Sequence, residues 1–205
     1  MELKDAIQNR ASVRNFINEP VNPDDLREMV RRAGLAPSEN NHQPWKFFAI
    51  SNKELLVSLA KSVTQKIREI PASESKYAYL VKSQMEMSAT FFKLAPSVIA
   101  MAMTPSETIW EKGINISHDE LKKMHNYPDL QSAGAAIQNI LLTAVELGYG
   151  ACWMSSPLTA KNELEALLGI AEPWELISFV AVGKAAQQSS QSNKKSLDEI
   201  FELIS

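Results

Sequence analysis

Three short segments and one lysine pair gather the side chains whose chemistry and placement along the chain could form a site. The first segment is Arg10-x-Ser12-x-Arg14. In an extended chain successive side chains alternate between faces, so residues two and four apart point the same way. Two guanidinium forks and a hydroxyl on one side suit a phosphate or a carboxylate. The same cations also suit other places: Arg10 a helix C-terminus, Arg14 a solvated surface. The second segment runs Ala36-Pro37-Ser38-Glu39-Asn40-Asn41-His42-Gln43-Pro44-Trp45. Its prolines fix the backbone, and its hydroxyl, amide and imidazole groups form a dense set of donors and acceptors. Such a loop can hold a polar heterocycle, or simply turn the chain with Asx-turns between a helix and a strand. His42 has no acid–base partner in the surrounding sequence. The third segment is Gly148-Tyr149-Gly150 followed by Ala151-Cys152-Trp153-Met154-Ser155-Ser156-Pro157. Its glycines permit unusual backbone angles, and its serines end an apolar strand with exposed donors. Cys152 lies between apolar neighbours and reads as packing rather than as a nucleophile. Lys194-Lys195 either faces solvent or closes a phosphate site with mobile point charges.

The elements that must position these groups alternate along the chain without repeats or linkers. A short helix over Glu2 to Arg10 precedes the arginine segment. A second helix opens at Asn22 as cap with Pro23 in its first turn, carries Leu26, Met29, Val30 and Ala33 on one stripe, and stops at Gly34. Trp45 to Ile50 reads as a strand after Pro44, and a helix follows over about Lys53 to Val63. Thr64 to Lys76 lacks periodicity, Tyr77 to Leu94 is helical, and Ser97 to Met103 is a buried strand. Ser132 to Leu147 is apolar nearly all round, which predicts a central helix. A strand over Ala151 to Met154, a helix over Lys161 to Leu168 and a strand over Leu176 to Val182 follow. Ser196 to Ile204 has the pattern of a short amphipathic helix. Mixed helices and strands without strict βαβ alternation make the class α+β.

The chain has 205 residues, 45% of them apolar and 22% charged, which suits one globular domain over 1–205. A net charge of −3 disfavours the many phosphate contacts of a nucleic-acid partner. No apolar run approaches membrane-spanning length, the start lacks a secretory pattern, and the lone Cys152 forms no internal disulfide. A soluble, reduced, cytoplasmic protein is expected. His42, His118 and His125 offer no metal-ligand spacing.

Taken in order, these segments resemble the FMN-dependent nitroreductase family, over about residues 3–63, 90–103 and 129–203. An R-x-S-x-[RK] segment matches Arg10, Ala11, Ser12 and Arg14, and an A-P-S-x-x-N-x-Q-P-W loop matches Ala36 to Trp45. The family's buried helix pattern Q-N-x-x-L-x-A matches Gln138 to Ala144. The resemblance implies an α+β sandwich around a mixed, mainly antiparallel sheet, paired as a homodimer. It also implies FMN as cofactor. Arg10, Ala11, Ser12 and Arg14 would take the phosphate and ribityl chain, with Lys194 or Lys195 completing the phosphate site. Met154, Ser155 and Ser156 would lie against the ring system, while Pro37, Ser38, Asn41 and Gln43 approach the cofactor seated mainly on the other subunit. The implied activity is reduction of FMN by NAD(P)H and transfer to a nitroaromatic, quinone or similar flat acceptor in a ping-pong cycle. The same fold also hosts dehalogenating, heterocycle-oxidising and flavin-degrading enzymes, and a non-catalytic flavin-binding module is the alternative from another class. Two departures stand out: Ser155-Ser156 replaces the Glu-Gly of several members, and the last phosphate ligand is Lys rather than Arg. The polar segment 104–130, with Trp110, His118, His125 and Tyr127, is a possible lid.

Overall fold

β2 (Ser97–Met103) is apolar after Ser97 because both of its faces are covered, and all seven of its residues are buried. The structure, a computed structural model, describes residues 1–105, 113–187 and 191–204. Around β2 lie β1 (Trp45–Ile50), β3 (Gly150–Met154) and β4 (Glu175–Gly183), in the order β1-β2-β4-β3. All three pairings are antiparallel, with Phe47 opposite Met101, Ile99 opposite Val180, and Cys152 opposite Ala181. A parallel element joins at the free edge of β3, where Ser12 bridges to Ala151. An α+β sandwich with a mainly antiparallel sheet is therefore what the chain builds.

Alternation along the strands sorts side chains into two cores. On one face Ala100, Ala102, Phe179 and Ala181 meet Leu56, Leu59, Val63 and Ile67 of helix α3 (Lys53–Glu69). Phe92 joins that core and meets Phe179 edge to face, at 5.2 Å between ring centroids. It sits in a 3-10 turn that extends helix α4 (Lys76–Thr90). On the other face Ile99, Met101, Val180 and Val182 meet Leu26, Met29 and Ala33 of α2 (Pro23–Ala33). The same core takes Ile137, Ile140 and Ala144 of the long helix α6 (Pro128–Glu146). Helices α1 (Leu3–Asn9), α5 (His118–Met124) and α7 (Lys161–Leu168) complete the set of described helices.

The cap at Asn22 is as the sequence predicts, with its side chain accepting from the Asp24 amide at 2.9 Å. Four expectations require correction. Helix α3 continues to Glu69, because Ile67 extends the buried stripe and Lys66 pairs with Glu163 of α7 at 2.9 Å. Helix α5 was not expected, although Ser117 and Glu120 form a capping box at its start. α6 is not buried all round: Gln138 is exposed and opens onto a cavity. The tail forms a single 3-10 turn, Leu197–Glu199, instead of an amphipathic helix, and Ile200, Phe201, Leu203 and Ile204 remain exposed. No described residue of the protomer covers those apolar side chains, and a helix of that length is marginal without packing.

Candidate functional site

Helix α1 ends at Arg10, whose backbone turns extended, and the chain then runs along the edge of β3. The Val13 amide donates to the Ala151 carbonyl at 3.0 Å. Ala11 and Val13 face inward and are buried, while Ser12 and Arg14 face out. Glycine is required opposite this segment: a Cβ at Gly150 would stand 2.6 Å from a Val13 methyl. The segment and the end of β3 are thus held side by side at backbone contact distance.

The arginines here differ from those elsewhere on the molecule. Arg27, Arg31, Arg32 and Arg68 are each ion-paired with a carboxylate. Arg10 and Arg14, which complete the six arginines of the sequence, have no acidic partner among the described residues. Arg14 only donates a long bond, 3.4 Å, to the Ser12 carbonyl. Beside them the Cys152 thiol is pushed up by burial, with the two guanidiniums opposing that shift.

Two cavities flank the end of β3. One, of about 510 Å³, is lined by Arg10, Ser12, Gln138, Leu141, Trp153, Ser155 and Ile177. The other, of about 610 Å³, brings Arg14 together with Cys152, Trp153, Met154, Ser155 and Ser156, against a wall from α4. Trp153 and Ser155 are common to both. Trp153 is the exposed member of an otherwise buried strand, and its ring reaches toward Gly134 of α6. Gln138 and Trp153 escaped the sequence reading of the site. Gln138 stood within the helix pattern, and Trp153 carried the signal of a large aromatic next to the strand-end serines.

The loop before β1 does not line either cavity of its own protomer. Its exposed polar groups bond to one another: the Gln43 amide donates to Ser38 Oγ at 2.9 Å, and Gln43 Nε2 to the Asn41 carbonyl and Oδ1 at 3.3 Å. Asn40, Asn41 and Gln43 all hold left-handed backbone angles, with φ of 51°, 56° and 51°. Such angles in non-glycine residues are strained and persist where the surroundings impose them. Pro37 lies at the start of this turn, and the Glu39 amide donates to Ser132 Oγ of α6 at 3.3 Å. Lys194 and Lys195 are exposed and have no hydrogen-bond or ion-pair partner among the described residues. The stretch leading to them is tied to α1, since Gln191 Nε2 donates to the Ile7 carbonyl at 2.8 Å. Of the suspected lid, Tyr127 and Lys122 border a third cavity, of about 340 Å³, with Asp119 and Glu175. Trp110 lies outside the described residues. No group of His, Cys, Asp and Glu among the described residues has the arrangement of a metal site.

Comparison with known proteins bears on the family and the fold. The chain is similar to an iodotyrosine deiodinase from Hydra vulgaris, at 26% identity over 94% of this chain and 69% of that protein. A BluB-like flavoprotein from Clostridium difficile 630 superposes over the whole of both chains, at 31% identity and a TM-score of 0.90. A nitroreductase with bound FMN from Bacteroides fragilis NCTC 9343 shares the fold over the whole of both chains, at 21% identity and a TM-score of 0.73. Residues 7–184 match the sequence pattern of the Nitroreductase family. The match spans the arginine segment, both cavity walls and the entire sheet, and the chain belongs to the Nitroreductase family.

Proposed function

We propose that the protein binds FMN and is an NAD(P)H-dependent oxidoreductase for nitroaromatic, quinone or similar flat acceptors. One observation carries this reading: the arginines without carboxylate partners among the described residues are the two at the edge of β3, where Ser12, Ser155 and Ser156 also stand. An unpaired guanidinium beside a cavity is available to an anion, and a fork suits a phosphate. The residues present fit the cofactor. Arg10, Ser12 and Arg14 would hold the phosphate and ribityl chain, joined by Lys194 or Lys195 from the tail that Gln191 tethers to α1. Trp153, Met154, Ser155 and Ser156 would hold the ring system, with the Gln138 amide facing it from α6. Bound FMN supplies the hydride acceptor and the electron store that no side chain of the site provides. The protein's part is orientation and exclusion of water: the buried Met154 and the indole of Trp153 give apolar flanks, while the serine hydroxyls fix the polar edge.

The reading includes a homodimer. The exposed Leu197, Ile200, Phe201, Leu203 and Ile204 give the tail an apolar surface suited to a second subunit, and the strained Ala36–Trp45 loop lines neither of the two cavities beside β3 in its own protomer. In a dimer that loop, through Pro37, Ser38, Asn41 and Gln43, would close the partner's site. The 104–130 segment would act as the lid. NAD(P)H and acceptor would occupy one site in turn. Initial rates with both substrates varied test this directly: parallel double-reciprocal lines are expected, and intersecting lines would exclude the ping-pong order.

A second reading, reductive dehalogenation, is favoured by the similarity to the Hydra vulgaris deiodinase. Release of iodide from an iodinated phenol under reducing conditions would establish it, and release no faster than from free reduced FMN would dismiss it.

A further inference from the structure

The wall that closes the larger cavity belongs to none of the motifs singled out in the sequence. It is formed by Gln84, Met87, Ser88 and Phe91 of α4 and its 3-10 extension. Their spacing of three, four and seven residues is that of a single helix face, so the face is presented to the cavity as a unit. Met87 is 61% exposed, which leaves a flexible, polarizable thioether available to a ligand. Ser156 Oγ donates to the Ser88 carbonyl at 3.4 Å and ties this face to the end of β3. Met154 lines the same cavity. Apart from Arg14, the described side chains lining this cavity are uncharged, and Arg14 is committed to the cofactor phosphate in the function proposed above.

We propose that the α4 face is the acceptor-binding wall and selects uncharged planar aromatic acceptors with a polar edge. This inference rests on the FMN reading. Met87 and Phe91 would cover the ring, and the Gln84 amide would donate to a nitro or carbonyl oxygen. A zwitterionic aromatic amino acid is disfavoured by the same wall. Its ammonium would lose water beside Arg14 without a carboxylate among the described lining residues to receive it.

The test uses the FMN-loaded protein titrated with 4-nitrobenzamide and with 4-nitrophenylalanine, read by perturbation of the flavin absorbance. The FMN dissociation constant is measured in parallel by fluorescence. Gln84 and Met87 are exposed, so Gln84→Ala and Met87→Glu retain the fold. The neutral amide should bind wild type at least about tenfold tighter than the amino acid. Each variant should weaken the amide about tenfold while the FMN constant stays within about twofold. Equal or tighter binding of the amino acid to wild type would overturn the selectivity. Wild-type affinity for the amide in both variants, with FMN still held, would overturn the α4 assignment and leave the FMN reading intact. A wild type that takes up no FMN would overturn both.

Discussion

Removing both unpaired guanidiniums, as Arg10→Ala with Arg14→Ala, separates ligand binding from stability unusually cleanly. Neither arginine has a carboxylate partner among the described residues, so truncation strands no buried anion. The folded protein without ligand should therefore change by no more than about 0.5 kcal/mol, as for ordinary surface positions. A hydrogen bond to a charged group contributes about 1.5–3 kcal/mol, and about 1.4 kcal/mol is a factor of ten in affinity. Each arginine is then worth roughly one to two orders of magnitude in FMN binding, and the pair roughly two to four. The assay is quenching of FMN fluorescence at several salt concentrations, beside a urea unfolding curve of the same samples. Loss of two cations should also flatten the salt dependence. Lysine at both positions keeps the charge without the fork and should recover part of the affinity. Arg31→Ala is the internal control, since Arg31 spends its guanidinium on Glu28 at 2.6 Å and should leave FMN affinity alone. A double alanine variant that binds FMN within about threefold of wild type would refute the phosphate assignment.

Further outcomes follow from the same geometry. Gly150→Ala sets a methyl 2.6 Å from Val13 and should destabilise the fold by about 1–3 kcal/mol. The same change pushes the Arg10–Arg14 segment off β3, so FMN affinity should fall with the Tm. A normal Tm together with normal affinity would contradict the claimed backbone approach. Glu28 is held down to about 2 by hydrogen bonds from Arg31 and Arg32. A lowered carboxyl pKa stabilises above the unfolded value and loses that contribution as pH falls toward the folded one. The difference in urea midpoint between wild type and Glu28→Gln should thus be present at neutral pH and shrink as the pH falls below the ordinary carboxyl value of 4.5. A difference that grew in acid would reverse the sign. Cys152 is 3% exposed and its thiol is raised by burial, so iodoacetamide should modify it in the unfolded chain and not in the native one.

The parts of the fold legible in the sequence were those that local chemistry determines. Asn22, Pro23 and Gly34 bracket α2, and Pro44 with Ser51 brackets β1, because caps and breakers act over a few residues. The period-two spacing of Arg10, Ser12 and Arg14 describes an extended segment, and Ser12 and Arg14 do face away from the buried Ala11 and Val13. What escaped depends on distant partners. The last turns of α3 are held by Ile67 in the core and by Lys66 reaching Glu163, nearly a hundred residues on. The tail has helical periodicity but no surface to pack against, so it forms one turn only. The Ser117–Glu120 capping box was readable but stood in a stretch without an apolar stripe. For the site, sequence order alone could not reveal that Arg10 and Arg14 open onto different cavities, with Trp153 between them. Nor could it reveal that four of the six arginines are already engaged, which requires the coordinates of their carboxylates.

The most direct measurement is the visible absorbance spectrum of the purified protein, taken before and after NADH or NADPH is added without oxygen. Flavin bands that bleach on addition of a nicotinamide are the expected result, and would establish cofactor, reductant and reductive step together. A colourless protein that also fails to take up added FMN would contradict the account at its centre.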